Sequence, residues 1–259
     1  DLMERAAKTL TRAIMDEWTD RTPMVIFAGP GNNGGDALAV ARLLTEENYK
    51  VSVYLFNIHN KLSDDCAANK QRLIDSKRVA HFTEVTLNFD PPELTEDMVV
   101  IDGLFGSGLN KPLIGGFASL VKYINQCPAK VVSIDIPSGL MCEDNTYNIH
   151  SNIIRADLTL TLQQKKLSMM MADCQKYIGR LRVLDIRLSQ EYIDKTEANC
   201  RILEEQDVRR LLMPRDDFAH KGAMGNALII AGSYGMAGAA VLATRACLRS
   251  GVGKVTVHT

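Results

Sequence analysis

Glycines, amides and one acid stand together between an apolar run and a helical pattern, in the segment AGPGNNGGD at residues 28–36. The spacing Gly29-x-Gly31-x-x-Gly34 fits the fingerprint in which glycines form a tight turn and let the backbone approach a phosphate at a helix N-terminus. Pro30, inside this turn, has no N–H to offer an anion. By itself the pattern predicts either a phosphate-binding loop or an ordinary glycine-rich turn.

Two aspartates end apolar runs further along the chain. Asp102 ends VVID and is followed by GLFGSGLNKPL, and Asp135 ends VVSID and is followed by IPSG. A carboxylate at the end of a buried strand is costly unless it is paired or bound, so both are candidate functional residues. Two other residues have two possible roles each. Asp36 could bind a ligand or only complement the dipole of its helix, and Ser138 could bind a ligand or only form a turn.

Oxygen-bearing side chains occur in all three of these segments, at Asn32, Asn33, Asp102 and Ser138. Their amide, carboxylate and hydroxyl oxygens are hard donors that suit an alkali or alkaline-earth cation. The two glycines of NNGGD would let a pyrophosphate approach the start of the following helix. The three segments together therefore predict a site for a pyrophosphate and a cation.

The position that usually holds a ribose hydroxyl lacks an acid in this chain. In dinucleotide-binding folds a carboxylate stands at the end of the second strand, about 20 residues after the glycine loop. This chain has Phe56, Asn57 and Ile58 there, so NAD-type and NADP-type ligands both stay open. The missing acid, and the lack of a histidine near the loops, argue against an ordinary nicotinamide dehydrogenase.

The elements that would position these residues alternate between helices and strands. An amphipathic helix over 2–18 comes first, and predicted strands follow at 24–28, 50–56, about 79–82, 98–102, 130–136, 156–162 and 179–186. Continuous apolar strands that alternate with helices predict a parallel sheet covered on both faces. We expect a Rossmann-like three-layer αβα sandwich with a mostly parallel sheet, in which the strand order 3-2-1-4-5 brings the three loops into one crevice.

A second, shorter α/β pattern follows this one. Residues 189–220 are charged, carry a short helix pattern at 204–213 and predict a linker. From 221 onward a strand, a glycine turn, an apolar helix and another strand predict the opening βαβ unit of a second domain. One unit of about 35 residues cannot bury its own faces. Because the chain also starts without methionine, we expect it to be cut from a longer protein at both ends.

Composition narrows the class of protein. Hydrophobic residues make up 46% and charged residues 24% of the 259 residues, and the formal net charge is -1, which indicates a globular protein without a nucleic-acid-binding surface. No apolar run reaches the roughly 18–20 residues of a membrane span. Six scattered cysteines without a CxxC pair favour free thiols in a reducing cytoplasm. We expect a cytoplasmic protein that binds a small molecule, not nucleic acid or a membrane.

Three segments together resemble a known family. GPGNNGGDALAVARLL, VVIDGLFGSGLNKPL and SIDIPSGL are similar to the signature segments of the YjeF N-terminal domain, the NAD(P)H-hydrate epimerase, and the resemblance extends to about residue 193. From 221 onward the chain resembles the start of the ADP/ATP-dependent NAD(P)H-hydrate dehydratase domain, which has a ribokinase-like fold. The resemblance implies a bifunctional nicotinamide-nucleotide repair enzyme, with an epimerase domain at 1–188, a linker at 189–220 and an incomplete dehydratase domain at 221–259.

The resemblance also implies roles for particular residues. The hydrated nucleotides NADHX and NADPHX would contact Asn32, Asn33, Gly34, Gly35, Asp36, Gly106, Ser107, Gly108, Leu109, Asn110, Lys111, Pro112 and Asp135. One potassium ion per site would be bound by Asn33, Asp102 and Ser138. ADP or ATP would serve only the dehydratase part. The chain departs from the family where Lys165 replaces a common proline before Lys166, and we expect a homo-oligomer.

The implied substrate suggests a mechanism. Hydrated NAD(P)H carries a hydroxyl on the carbon beside the ring nitrogen, so the nitrogen lone pair can expel it as water, and water returning to the other face inverts the centre. This needs an acid/base group and negative charge near the cation, for which Asp102 is the first candidate and Asp135 the second. Two alternatives stay open: a non-catalytic nucleotide-binding or interaction module of the same fold, and a regulatory partner of the dehydratase.

Overall fold

Two compact units make up the chain, one ending at Lys195 and the other beginning at Thr196. The computed structural model of the protein describes residues 2–212 and 214–259. The first unit carries all three segments that the sequence analysis singled out. Each unit is described by itself below.

Strands and helices alternate through the first unit. Its strands are β1 (Met24–Ala28), β2 (Val51–Phe56), β3 (His81–Val85), β4 (Val99–Gly103), β5 (Lys130–Ile134), β6 (Leu158–Leu162) and β7 (Arg180–Leu184). Its helices are α1 (Leu2–Met15), α2 (Asn32–Glu46), α3 (Asp64–Ser76), α4 (Gly115–Gln126), α5 (Gln175–Ile178) and α6 (Gln190–Lys195). Short 3-10 turns at His150–Asn152, Leu167–Met170 and Ala172–Cys174 complete it.

The seven strands form one sheet in the order β3-β2-β1-β4-β5-β6-β7. Every neighbouring pair runs parallel. The predicted order of the first five strands is therefore confirmed, and β6 and β7 extend the sheet beyond β5. Because all strands point the same way, the segments after β1, β4 and β5 leave the sheet at one edge, side by side.

Side chains of each central strand alternate between two separate cores. In β1, Met24, Ile26 and Ala28 pack in a core with α1, α2 and α3, whereas Val25 and Phe27 pack in a core with α4. This alternation is what a strand buried on both faces requires, since successive side chains point to opposite sides of a sheet. The result is the predicted three-layer αβα arrangement.

Two local features differ from the sequence prediction. Strand β3 begins at His81, two residues later than predicted, and its edge position leaves it partly exposed. Helix α6 lies in the charged segment that the sequence analysis read as a linker, where no helix was predicted. The side-chain contacts within this helix are polar: Gln190 donates a hydrogen bond to Asp194, and Lys195 forms an ion pair with Glu191. Such i,i+4 pairs stabilise a helix without producing an apolar stripe.

The second unit contains α7 (Glu205–Leu211), β8 (Asn226–Ile230), α8 (Gly238–Arg249) and β9 (Lys254–His258). Strands β8 and β9 pair in parallel, as expected of a βαβ unit. The predicted helix at 204–213 is observed as α7, and Met213 lies outside the described residues. Of the described residues of this unit, Ala240 alone is buried. Several large apolar side chains are exposed, among them Leu228, Ile230, Tyr234 and Leu242.

Across residues 2–212 and 214–259, each helix is too short or too polar to serve as a membrane span. All six cysteines are free thiols.

Candidate functional site

The glycine turn after β1 is closed by backbone packing. Gly29 N–H donates to the carbonyl of Gly103 over 3.0 Å. A Cβ on Gly34 would lie 1.7 Å from the carbonyl oxygen of Gly29, and a Cβ on Gly29 would lie 1.8 Å from that of Leu104. Both positions therefore require glycine because backbone segments touch there. A Cβ on Gly31 would meet nothing within 4 Å, so the turn is open to solvent at that residue.

Helix α2 starts directly after this turn. Gly31 is its N-cap residue, and no side chain caps the helix. The first N–H groups of a helix have no partner within the helix and, together with the dipole, favour an anion. The start of α2 therefore offers N–H groups to an anion, and the phosphate contact predicted for the NNGGD segment stays a prediction.

Asp102 lies beneath the loops, and its carboxylate is fully buried. Its Oδ2 accepts hydrogen bonds from Ser133 Oγ (2.8 Å) and Ser138 N (2.9 Å). Its Oδ1 accepts from Ser138 Oγ (2.5 Å) and Leu104 N (3.3 Å). Burial raises the pKa of Asp102, and the hydrogen bonds from Ser138, Ser133 and Leu104 oppose that rise. The carboxylate thus ties the segment after β4 to the segment after β5.

Oxygen atoms from two loops gather around the Ser138 hydroxyl. Ser138 Oγ accepts a hydrogen bond from Phe105 N (2.9 Å) and lies 3.2 Å from the carbonyl oxygen of Phe105, besides contacting Asp102. The Asn33 side chain packs against Gly106, and its buried Nδ2 has no hydrogen-bond partner. Carboxylate, hydroxyl, carbonyl and amide groups are the donor set of a hard cation. Asn33, Asp102 and Ser138 thus offer donor types that suit potassium, and their binding of the ion stays a prediction.

The structure describes no group of three or more His, Cys, Asp or Glu residues that could hold a metal ion. The donors around Ser138 belong to other residue types, except for Asp102.

Asp135 occupies the sharp turn that follows β5, with a positive φ of 66°. Its Oδ1 accepts hydrogen bonds from Lys166 Nζ and from Leu162 N, the latter at 3.3 Å. Both charged side chains are largely buried, with 11% exposure for Asp135 and 16% for Lys166. Within the described part of the chain, Asp135 Oδ2 makes no hydrogen bond. This oxygen is a free acceptor at the surface of the crevice.

Asp36, in the second turn of α2, is also buried, and its Oδ1 has no hydrogen-bond partner among the described residues. Burial raises its pKa to about 7, and the negative charges of Asp135 and Asp65 add to the rise. Asp36 is therefore not a solvent-facing acid that serves only the helix dipole. Its carboxyl shares the crevice with Asp135.

The segment after β4 forms the open rim of the crevice. Ser107, Gly108, Asn110 and Lys111 are exposed, and Gly106, Leu109 and Pro112 are partly buried. The Cys142 thiol lies 3.5 Å from the carbonyl oxygen of Ser107, which places the segment after β5 beside this rim. All residues predicted to contact the nucleotide thus lie along one edge of the sheet.

A carboxylate that the sequence analysis missed lies beside the end of β2. Glu84 of the neighbouring strand β3 accepts hydrogen bonds from Asn57 Nδ2 (2.8 Å) and from Lys70 Nζ (2.5 Å). These contacts, Lys70 foremost, lower the pKa of Glu84. The sequence alone does not reveal this contact, because it depends on how β2 and β3 pair. In that pairing Leu55 lies opposite Glu84, which brings Glu84 close to Asn57.

A cavity of about 400 Å³ lies beside β3, lined by Tyr54, His81, Thr83 and Phe89 among others. It includes none of the residues predicted for the nucleotide or the cation. The predicted site is instead an open crevice above the ends of β1, β4 and β5.

Comparison with known proteins identifies relatives of the chain. A bifunctional NAD(P)H-hydrate repair enzyme Nnr from Coxiella burnetii is 33% identical over 259 residues, which cover 100% of this chain and 51% of that protein. A bifunctional NAD(P)H-hydrate repair enzyme from Leishmania major is 31% identical over 265 residues, with 100% and 46% covered. The chain thus spans about half the length of these relatives.

The fold also has a counterpart among solved structures. The crystal structure of yeast ynu0 superposes with a TM-score of 0.60 at 21% identity, covering 80% of this chain and 87% of the yeast chain. Residues 1–168 match the family described as YjeF-related protein N-terminus, and that range contains all three loops of the crevice. The chain therefore belongs to the family of YjeF-related protein N-termini.

Proposed function

We propose that the first unit interconverts the R and S epimers of hydrated NAD(P)H, as part of nicotinamide-nucleotide repair. The observation that carries the proposal is the convergence of Asp36, Asp102 and Asp135 in one crevice, beside a helix start that can receive a phosphate. Relatives named as NAD(P)H-hydrate repair enzymes support the substrate class.

We assign the binding of the nucleotide to the glycine turn and the rim. The start of α2 would hold the pyrophosphate, because its N–H groups and dipole favour negative charge. Exposed Lys111 on the rim would add positive charge. The hydrated nicotinamide ring would then lie over the ends of β4 and β5, near the free oxygen of Asp135.

A potassium ion would be held by Asn33, Asp102 and Ser138, with the carbonyl oxygen of Phe105 as a further donor. Such an ion would supply positive charge that orders the two loops beside the substrate. The unpartnered Asn33 Nδ2 supports this assignment, because rotating the amide by half a turn would place its oxygen there instead.

The hydrogen-bond pattern reverses our ranking of the acid/base candidates. Both oxygens of Asp102 already accept two hydrogen bonds each, so we assign it to holding the loops, and it would bind potassium only where the ion replaces one of these donors. Asp135 Oδ2 is free, so we assign Asp135 as the base that takes a proton from the water that adds to the ring. Asp36, with a pKa of about 7, can give the proton that lets the departing hydroxyl leave as water.

These assignments describe a complete inversion. The C–O bond breaks with its electron pair on oxygen, the ring nitrogen shares its lone pair to form the cation, and a proton from Asp36 completes the departing water. A second water then attacks the opposite face and loses its proton to Asp135. The negative charge of Asp135 also stabilises the cation while it exists.

For the second unit we propose the opening strands of an ADP/ATP-dependent dehydratase domain, on the resemblance of residues 221–259 alone.

The test is a coupled assay. The protein is mixed with the R epimer of NADHX and a separate S-specific dehydratase with its nucleotide, and NADH recovery is followed by absorbance. We expect recovery at a rate proportional to the concentration of the protein. The S epimer alone controls for the coupling enzyme. Recovery no faster than spontaneous epimerisation would contradict the proposed function.

A further inference from the structure

Lys166 has a setting unlike that of an ordinary surface lysine. Its Nζ donates hydrogen bonds to Asp135 Oδ1 and to Thr161 Oγ1 (2.9 Å), and it lies within bonding distance of the carbonyl oxygens of Leu162 (3.2 Å) and Gln164 (3.3 Å). An ammonium has three N–H donors and no acceptor. The four acceptor oxygens around Nζ, here called the lysine cradle, therefore engage all three donors.

The lysine cradle joins the turns that follow two neighbouring strands. Asp135 after β5 and Gln163 after β6 both have positive φ, 66° and 60°, a conformation that costs free energy in residues other than glycine. Lys166 contacts both turns at once, and Leu162 N adds a hydrogen bond to Asp135 Oδ1. Lys166 thus ties the side chain of Asp135 to the β6 turn, while the Asp135 N–H donates to the carbonyl of Leu160 over 2.8 Å.

The contacts of Lys166 also divide the Asp135 carboxylate into two unlike oxygens. Oδ1 receives Lys166 and Leu162 N, whereas Oδ2 receives no hydrogen bond from the described residues. Two other titratable groups interact electrostatically with Asp135, namely Asp36 in α2 and the Cys142 thiol after β5. Since Asp36 is also an acid, Lys166 is the positive group that offsets the charge of Asp135.

We infer that Lys166 is a positioning residue of the site: its ammonium anchors Asp135 Oδ1 to the β6 turn and leaves Asp135 Oδ2 to meet the substrate. The inference rests on the proposed epimerase function and deepens it. Neither the family match nor the names of the relatives assign a role to this lysine. Lys166 contacts the Asp135 carboxylate, and we assign it no contact with the ring, so it would act on the rate only through that carboxylate.

The adjacent lysine provides a matched control. Lys165 is exposed, and its side chain makes no hydrogen bond or ion pair with the residues that the structure describes. Its substitution removes the same charge at the same turn. We would measure kcat and KM for the R epimer in the coupled assay with Lys166→Met and Lys165→Met, beside the unsubstituted protein. We expect Lys166→Met to lower kcat at least about tenfold with little change in KM, and Lys165→Met to leave both unchanged.

Two further variants separate positioning from folding. Lys166→Gln keeps a hydrogen-bond donor but no charge, and it replaces Lys166→Met if that variant does not fold by circular dichroism. Lys166→Arg keeps the charge, and we expect it to recover most of kcat, as should an alkylammonium salt added to Lys166→Ala.

The outcomes are distinguishable. If the unsubstituted protein does not epimerise, the proposed function fails before Lys166 is tested. If it does, a folded Lys166→Met or Lys166→Gln with unchanged kcat, or one altered only in KM, overturns the inference. A loss of kcat that neither arginine nor the alkylammonium ion restores also overturns it, because it would show a role in packing alone.

Discussion

Ser133 Oγ donates a hydrogen bond of 2.8 Å to Asp102 Oδ2 from the adjacent strand. The two residues are partners in the parallel register of β4 and β5, and both are fully buried. The pairing sets a carboxylate and its donor directly under the loops of the crevice. It makes Asp102 part of the framework of the site and explains why its oxygens are not free for proton transfer.

Asp102→Asn should therefore destabilise the fold. Each carboxylate oxygen accepts one backbone N–H, from Leu104 or from Ser138, so the amide nitrogen of asparagine must face an N–H in either orientation. Leaving that donor unsatisfied costs about 1–3 kcal/mol, which urea unfolding would measure. Ser133→Ala, which removes one donor only, should cost about 1 kcal/mol. Wild-type stability of Asp102→Asn would contradict the framework role.

Asp36 should make the stability of the protein depend on pH. Its folded pKa of about 7 lies above the ordinary value of 3.8, so the folded state binds a proton more tightly than the unfolded state. Stability should fall as the pH rises from about 4 to about 7 and change little above. Asp36→Asn should remove this decline and be more stable than the parent at pH 8, by up to about 4 kcal/mol at about 1.4 kcal/mol per pH unit.

The measurement for Asp36 is urea unfolding of both proteins at several pH values between 5 and 8. Asp65→Asn is a useful comparison, since Asp65 is the weakest of the three causes of the shift. Parallel stability curves for the parent and Asp36→Asn would show that Asp36 titrates normally in the folded state.

Potassium should stabilise the fold if Asn33, Asp102 and Ser138 bind it. A ligand that binds only the folded state adds about 2.7 kcal/mol at 100 times its Kd. We expect a higher Tm in potassium chloride than in tetramethylammonium chloride of equal ionic strength, and a smaller difference for Ser138→Ala. The same Tm in both salts would contradict the assignment of a potassium site to these residues.

Gly34 and Gly108 should respond differently to alanine. A Cβ on Gly34 would lie 1.7 Å from the carbonyl oxygen of Gly29, whereas a Cβ on Gly108 would meet nothing within 4 Å. Neither has a positive φ, so the difference is one of space. Gly34→Ala should lower the free energy of unfolding by about 3 kcal/mol or prevent folding, and Gly108→Ala should change it by less than about 0.5 kcal/mol. Equal stabilities would contradict the packing argument.

The strands of the second unit should exchange their amide hydrogens faster than the central strands of the first. Strands β8 and β9 contain no buried residue, whereas β1 and β4 are buried throughout. Few buried apolar contacts mean a low free energy of local opening. Hydrogen exchange followed by mass spectrometry would show this, and equal protection of β8 and β1 would contradict it.

The order of the elements was accessible from the sequence. Apolar runs such as VVID and VVSID predict buried parallel strands, and glycine turns with apolar helices after them predict the connections. These signals are local, and they were enough to bring the three loops to one edge of the sheet. They predicted the edge strand β3 with shifted bounds, because it is only partly buried. They missed α6, because its polar i,i+4 pairs leave no apolar pattern.

The division of roles within the crevice depended on the tertiary structure. Asp102 and Asp135 both end apolar strands in the sequence, yet one is saturated by donors from Ser133 and Ser138, and the other keeps a free oxygen. Lys166 meets Asp135 across 31 residues, and Glu84 meets Asn57 across 27. The sequence alone determined which residues stand at the ends of the strands. Which of them share hydrogen bonds was decided by folding, because strand register and turn geometry join side chains that are distant along the chain.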